Sequence, residues 1–202
     1  MKNNKSISTW IFKPFKFIAG LKALIIGLAV MTLLSVLGYL SNTHFDGVLD
    51  IHYGCPAILT PYINHVLYQL VGWCLSTLVF YITARIVTKS SIRFIDIAGT
   101  MALSQAPLIF AALLGFVSSF HICIGDINTT NIGKMMAILR ENAVMMTVAG
   151  LTAILFAIWS VILKYNAYTV SANIKGIVGG ISFAIALIVA EILSKIVLYI
   201  IL

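Results

Sequence analysis

Residues 23–40 read ALIIGLAVMTLLSVLGYL, a run without a single charged side chain. In hydrocarbon, an unpaired backbone N–H or C=O group costs several kcal/mol, and a helix pairs these groups within one segment. An apolar run of about 20 residues is long enough to cross a bilayer as a helix. The stretch therefore predicts a transmembrane helix.

Four further apolar runs follow, at residues 66–84, 97–120, 143–163 and 177–202. Of the 202 residues, 61% are hydrophobic and 9% are charged, which excludes an ordinary soluble surface. Five spans of about 20 residues leave room for short connections, so we expect one domain over residues 1–202. The predicted fold class is an all-α membrane protein, a bundle of five transmembrane helices with a short interfacial N-terminal segment.

Lysine and arginine are distributed unequally between the two ends of the predicted spans. Ten lie in the N-terminal segment and in the second and fourth connections: Lys2, Lys5, Lys13, Lys16, Lys22, Arg85, Lys89, Arg93, Lys164 and Lys175. The opposite end has Lys134 and Arg140. Because basic flanks are retained in the cytoplasm, this predicts a cytoplasmic N-terminus and an outer C-terminus. The net charge of +7 then reflects topology and anionic headgroups, and we exclude nucleic-acid binding.

The N-terminal segment alternates aromatic and aliphatic residues with lysines, reading WIFKPFKFI at residues 10–18. Such a pattern is typical of a stretch that lies among lipid headgroups. We expect Trp10, Lys13, Lys16 and Lys22 to contact headgroups, anionic ones in particular. A simple basic anchor explains the same pattern more economically.

The first outer connection carries residue types that ligate transition metals: His44, Asp46, Asp50, His52 and Cys55, with His65 beside them. Their spacing matches no ligand pattern, because closed metal sites draw their ligands in tight pairs. We therefore expect a solvated polar loop and no metal or cofactor. A disulfide between Cys55 and Cys123 is left open, since both fall on the predicted outer side.

Four positions inside the predicted spans are candidates for polar chemistry: Gln105, Pro107, Glu191 and Lys195. Proline removes a backbone hydrogen bond, so Pro107 predicts a kink that Ser104 or Gln105 satisfies or, in a transporter, a substrate site. Glu191 and Lys195 are four residues apart and share a helix face. A local pair between them is favoured over an ion path.

Motifs of enzyme chemistry are missing from the sequence. There is no Walker loop, no HExxH, no GxSxG and no acidic pair suited to magnesium. A catalytic membrane protein needs a nucleophile, a base or a metal site that converge near one interface. We therefore predict a chain that is not an enzyme and has no catalytic residues.

Three local patterns resemble one family. They are Phe12-Lys13-Pro14 before the first span, Arg93-Phe94 leading to ALSQAP at 102–107, and Trp159 followed by a polar connection from Tyr168 to Gly176. Together they resemble bacterial members of the Yip family, relatives of the Ypt/Rab-interacting membrane proteins of eukaryotes. The resemblance implies five spans, a cytoplasmic N-terminus and no catalytic residues. Here about 22 residues precede the first span, where the eukaryotic members have a longer region associated with GTPase contacts. A membrane-organising role is therefore implied more firmly than a GTPase partner.

Two functions of different classes follow. The preferred one is a non-catalytic scaffold whose partners are the lipid bilayer, anionic headgroups and an unidentified membrane or cytoplasmic protein. The alternative is a small transporter or channel-like subunit, in which Gln105, Pro107, Glu191 and Lys195 line one hydrated cavity. The family resemblance favours a bacterial plasma (inner) membrane.

Overall fold

The computed structural model describes residues 7–55, 59–121 and 132–202. In these ranges the helices are α1 (Ile7–Phe12), α2 (Gly20–Leu40), α3 (Tyr62–Val87), α4 (Phe94–Leu103), α5 (Leu108–Leu114), α6 (Ile132–Ala172) and α7 (Gly176–Ile201). Two 3₁₀ turns lie at Pro14–Lys16 and Ser118–Phe120. One antiparallel hairpin pairs β1 (Thr43–His44) with β2 (His52–Tyr53).

Five helical stretches are long and apolar enough to cross a membrane: α2, α3, α4 with α5, α6 and α7. The predicted all-α bundle of five membrane-spanning helices is therefore confirmed. The bounds differ most in the fourth span, predicted at 143–163 and found as a helix of 41 residues, Ile132–Ala172. Residues 135–140 are helical and lead into the predicted fourth span as part of this helix.

The third span is the central one. About 72% of it is buried, against 17% to 33% for the other four. Helix α4 packs most extensively on α2, and α3 packs on α7. A Cβ atom on Gly27 would lie 2.5 Å from the Ala102 Cβ and 2.7 Å from the Leu103 backbone nitrogen. The glycine therefore permits the close helix approach that stabilises membrane bundles.

The third span is interrupted between Leu103 and Leu108, where the sequence predicts a kink at Pro107. Proline has no N–H, so the helical ladder loses a bond there. The turn compensates with tighter bonds, from the Ala106 N–H to the Leu103 carbonyl at 3.1 Å and from the Leu108 N–H to the Gln105 carbonyl at 2.9 Å. Irregular backbone at membrane depth persists where protein covers it, and Pro107 is fully buried.

The connection after α2 folds onto the bundle, so the expectation of a solvated polar loop is wrong for its buried residues, whereas His52 is exposed. His44, Phe45 and Val48 are each less than 8% exposed. The hairpin turns the tip of this segment inward, until the Gly47 carbonyl lies against Gly72 of α3. At 1.5 Å per residue, Gly72 lies about 15 Å along α3 from Tyr62. We call residues 41–55 the re-entrant loop, and the end of the bundle where it inserts the loop end.

Candidate functional site

Glu191 holds the tip of the re-entrant loop. Its Oε2 accepts hydrogen bonds from the backbone N–H groups of Val48 at 2.7 Å and Leu49 at 2.8 Å. A Cβ atom on Gly47 would come within 2.6 Å of Oε1, so a glycine lets the carboxylate approach the backbone. The loop therefore has a charged acceptor for two of its backbone donors beside the middle of α7.

Lys195 fastens the same loop one helical turn further along α7. Its Nζ donates a hydrogen bond to Asp50 Oδ2 and lies 3.5 Å from Asp46 Oδ1. The predicted pair between Glu191 and Lys195 is wrong: in the described part of the chain, the ion pairs of Lys195 are with the two aspartates. Spacing of four residues places both side chains on one face, but the inserted loop supplies closer partners for each.

Asp46 connects Lys195 with a histidine of β2. The His52 Nδ1 lies 3.3 Å from Asp46 Oδ1. Burial opposes the charged form of Asp46, but the hydrogen bond and charge of His52, together with Lys195, lower the pKa of Asp46 to about 2. The Asp46 carboxylate, as the acceptor that faces the His52 ring, raises the pKa of His52 above its ordinary 6.5. Asp46 and His52 therefore stabilise each other's charged forms.

All four histidines of the chain lie at the loop end. The His44 ring stacks on His52, with centroids 4.9 Å apart and planes 4° apart, and it also lies beside His65 at 5.1 Å and Tyr68 at 5.9 Å. Burial, and then the charges of His52 and His65, lower the pKa of His44 to about 4. His121 bonds to the Gly54 carbonyl at 2.8 Å, which holds the end of the loop. The neutral form of His44 is therefore the form that fits this stack.

The metal-ligand types noted in the sequence are partly brought together. In the described ranges, ligand atoms of Asp46, Asp50 and His52 lie within 4.8 Å of one another, and His44 and His65 fall outside this group. The Lys195 side chain lies against both carboxylates. A lysine nitrogen thus provides the positive charge that a metal ion would supply.

Lys164 is the clearest difference from the sequence-based topology, which counted it among the basic flanks. It lies within α6 and is 3% exposed. Its Nζ donates to Ser160 Oγ at 2.6 Å, and that hydroxyl donates to the Ser104 carbonyl at 3.1 Å. This carbonyl is available because the Leu108 N–H bonds to Gln105 instead. Lys164 is interior because α6 continues to Ala172, well past the predicted end of the span.

Gln105 and Lys164 line a small cavity under the loop tip, with about 10 Å³ of room for the centre of a water-sized sphere. Gln69 of α3 also lines it, and its Oε1 is buried without a hydrogen-bond partner in the described part of the chain. Gln69, Ser160 and Lys164 were not predicted as site residues. A signal for the last two was present: Ser160, Lys164 and Tyr168 recur every four residues, and all three are buried on one face of α6.

The four intramembrane candidates lie in different surroundings. Gln105 faces the small cavity, whereas Pro107 lines an apolar groove with Phe110 and Trp159. Glu191 binds the loop backbone, and Lys195 pairs with the loop aspartates. The structure therefore does not gather them around a common space.

The N-terminal segment is attached to α6. The Trp159 indole donates to the Ile11 carbonyl at 3.2 Å, and the Asn166 side chain donates to the Phe12 carbonyl at 2.9 Å. Trp10, Lys13, Lys16 and Lys22 are exposed. Their contact with lipid headgroups stays a prediction, and the attachment holds the segment where that contact is sterically open.

The disulfide alternative involves a residue outside the described ranges, because Cys123 lies in 122–131. A bridge between Cys55 and Cys123 therefore stays a prediction. Cys74 in α3 is a free, exposed thiol.

Comparison with known proteins gives no match: no family model, no curated protein and no solved structure resembles the chain at a significant level. The Yip resemblance is therefore left as a prediction from the local patterns.

Proposed function

We propose that this chain is a non-catalytic membrane scaffold, of the membrane-organising kind that the Yip resemblance implies. The observation that carries the proposal is the occupied space between the spans at the loop end, beside an open groove that Asp46, Tyr68 and Lys195 line. The re-entrant loop occupies the space between α3 and α7, and Glu191 and Lys195 bind it through the contacts described above. A bundle closed in this way offers its surfaces, rather than an internal route, for function.

Transport lacks comparable support. It requires Gln105, Pro107, Glu191 and Lys195 around one hydrated space, and their surroundings are separate. The cavity beside Gln105 has room for about one water molecule, which is too small for a solute. The polar side chains in the spans bond to the loop and to neighbouring helices, as structural groups do.

We propose that the N-terminus faces the cytoplasm of a bacterial cell and that the C-terminus faces outward. The basic residues support this orientation, since nine still flank the proposed cytoplasmic end after Lys164 is assigned to the interior, against three at the loop end, Lys134, Arg140 and Lys195. The test is labelling of intact cells with a membrane-impermeant thiol reagent, in a background without the three native cysteines. Lys134→Cys should be labelled and Lys89→Cys should not. The reverse pattern would overturn the orientation.

The N-terminal segment is the surface proposed to engage anionic lipid. Lys13, Lys16 and Lys22 are exposed, and the segment that carries two of them is bonded to α6. The Lys13→Gln, Lys16→Gln, Lys22→Gln triple variant should retain several-fold less phosphatidylglycerol after purification from mixed bilayers. The control variant, Lys134→Gln with Arg140→Gln, should retain as much as the parent chain. Equal retention in all three proteins would contradict lipid engagement by this segment.

A measurement of ion flux across liposomes distinguishes the scaffold function from the transporter function. Reconstituted liposomes should be no more permeable to protons, potassium or chloride than protein-free liposomes. A flux that the parent chain supports and Glu191→Gln abolishes would replace the scaffold proposal with transport. Partners that co-purify with the parent chain, and are lost when the N-terminal segment is altered, would support the scaffold.

A further inference from the structure

A small cavity with polar and apolar walls lies where the tip of the re-entrant loop meets three spans. The loop contributes Phe45, Gly47 and Val48, and the helices contribute Gln69, Gln105 and Lys164 among other residues. Gln69 and Lys164 are 4% and 3% exposed, so neither reaches bulk water or lipid headgroups. The cavity is the space that both side chains line, and Gln69 also lines a wider groove between α2 and α3 with Ser35 and Tyr62.

Both side chains have capacity to spare. A lysine ammonium carries three N–H donors, and in the described part of the chain Lys164 uses one of them, on Ser160 Oγ. Gln69 Oε1 is an acceptor with no donor there. Buried groups of this kind are costly when unpaired, and ordered water is their usual partner when protein supplies none.

We propose that this cavity is a binding site for one water molecule, which accepts a hydrogen bond from Lys164 Nζ and donates one to Gln69 Oε1. The room of about 10 Å³ matches what a single water requires. Water is the small ligand that both accepts and donates. A halide ion accepts only and would leave Gln69 Oε1 without a donor.

The bound water has a structural consequence for the re-entrant loop. Gly47 and Val48 line the cavity on one side, and on the other side they meet the Glu191 carboxylate. The loop tip thus lies between Lys164, with its bound water, and the Glu191 carboxylate. The water links Lys164 of α6 to Gln69 of α3 directly beneath the loop tip. It therefore forms part of the surface against which the loop packs. This inference concerns the interior and does not depend on the proposed scaffold function.

The test is hydroxyl-radical labelling initiated by X-ray pulses, which oxidises side chains beside bound water even where bulk solvent is excluded. Phe45 lines the cavity and is 3% exposed, so it reports on the site. Phe80, which is 0% exposed and packed in the apolar core, is the internal control. Phe45 should be oxidised several-fold faster than Phe80 in the parent chain in lipid nanodiscs. Equal rates would overturn the proposal.

Two variants identify the acceptor. Gln69→Leu removes Oε1, so the rate at Phe45 should fall towards that of Phe80. Thr77→Val is the matched control on α3, because Thr77 also has a buried oxygen without a partner in the described ranges but does not line the cavity. It should leave the Phe45 rate unchanged. A Phe45 rate that survives Gln69→Leu in a folded protein would refute the assigned site, and the comparison within the parent chain stands if that variant fails to fold.

Discussion

The Glu191 carboxylate and the Val48 backbone N–H are hydrogen-bonded at 2.7 Å across 143 positions of sequence. Because Leu49 donates to the same oxygen, one charged atom satisfies two adjacent backbone donors of a segment that is neither helix nor strand. Within a membrane, unpaired N–H groups would prevent such a segment from inserting. The relationship therefore explains how the re-entrant loop reaches the middle of α7, and it leads to four predictions about what holds the loop and the bundle.

Removing the acceptor should destabilise the protein. Glu191→Leu leaves two buried N–H groups unpaired, and we expect it to lower the free energy of unfolding by about 3 kcal/mol. Glu191→Gln keeps an amide oxygen that can accept both bonds, so its effect should be smaller. Thermal unfolding in detergent measures the difference. Glu141→Gln, on the exposed surface of α6, is the matched control and should be neutral.

The ion pair between Lys195 and Asp50 should contribute less than the Glu191 contact. Their side chains are 40% and 43% exposed, so water screens the attraction. A double-mutant cycle with Lys195→Met and Asp50→Asn should give a coupling energy of about 1 kcal/mol that shrinks when salt is added. Strict additivity of the two changes would show that the pair contributes nothing measurable to the seating of the loop.

The combined contribution of His44 and His52 to stability should be greatest near pH 6.5, the ordinary histidine pKa. The pKa of His44 is lowered to about 4, so the folded protein binds this proton more weakly than the unfolded chain, and stability falls as the pH drops from 6.5 towards 4. The pKa of His52 is raised, so its contribution is complete below 6.5 and is lost as the pH rises through the raised value. Asp46, with a pKa lowered to about 2, contributes above 3.8 and loses that contribution at lower pH still.

One substitution tests the acid side of this pH profile and another tests the basic side. His44→Gln should flatten the acid limb between about pH 6.5 and 4, where the stabilities of parent and variant should converge. His52→Gln should flatten the limb above 6.5. Unfolding temperatures measured across this range in one detergent test both. A profile that keeps its acid limb in His44→Gln would show that another group titrates there.

Close packing of α2 on α4 should depend on Gly27. The Cβ atom of Gly27→Ala would lie 2.5 Å from the Ala102 Cβ, so the helices must separate, at a cost of about 1–3 kcal/mol. Gly150→Ala is the matched control, because a Cβ atom there meets nothing within 4 Å. In a helix interior that change should be neutral or slightly stabilising. Equal effects of the two substitutions would contradict the packing argument.

The break in the third span shows how far a local pattern can be taken. Pro107 predicts an interruption because the missing N–H is a property of the residue itself. One part of the break is satisfied locally, as expected, because Ser104 Oγ donates to the Met101 carbonyl at 2.7 Å. The partner of the Ser104 carbonyl does not follow from the pattern: it is Ser160 of α6. Choosing among these partners requires knowing which helix packs beside the turn. That information is not local.

By itself the sequence determined the class of protein and its number of membrane-spanning helices. The reason is that the length of each uninterrupted apolar run can be compared directly with the thickness of a bilayer. The tertiary structure alone decided which polar residues are interior and what they bind. Lys164 is a buried group because α6 continues past the predicted span, and Glu191 binds Val48 because a loop 143 positions away inserts beside it. The partners of a buried charge are set by packing in three dimensions, and a spacing of four residues along one helix does not specify them.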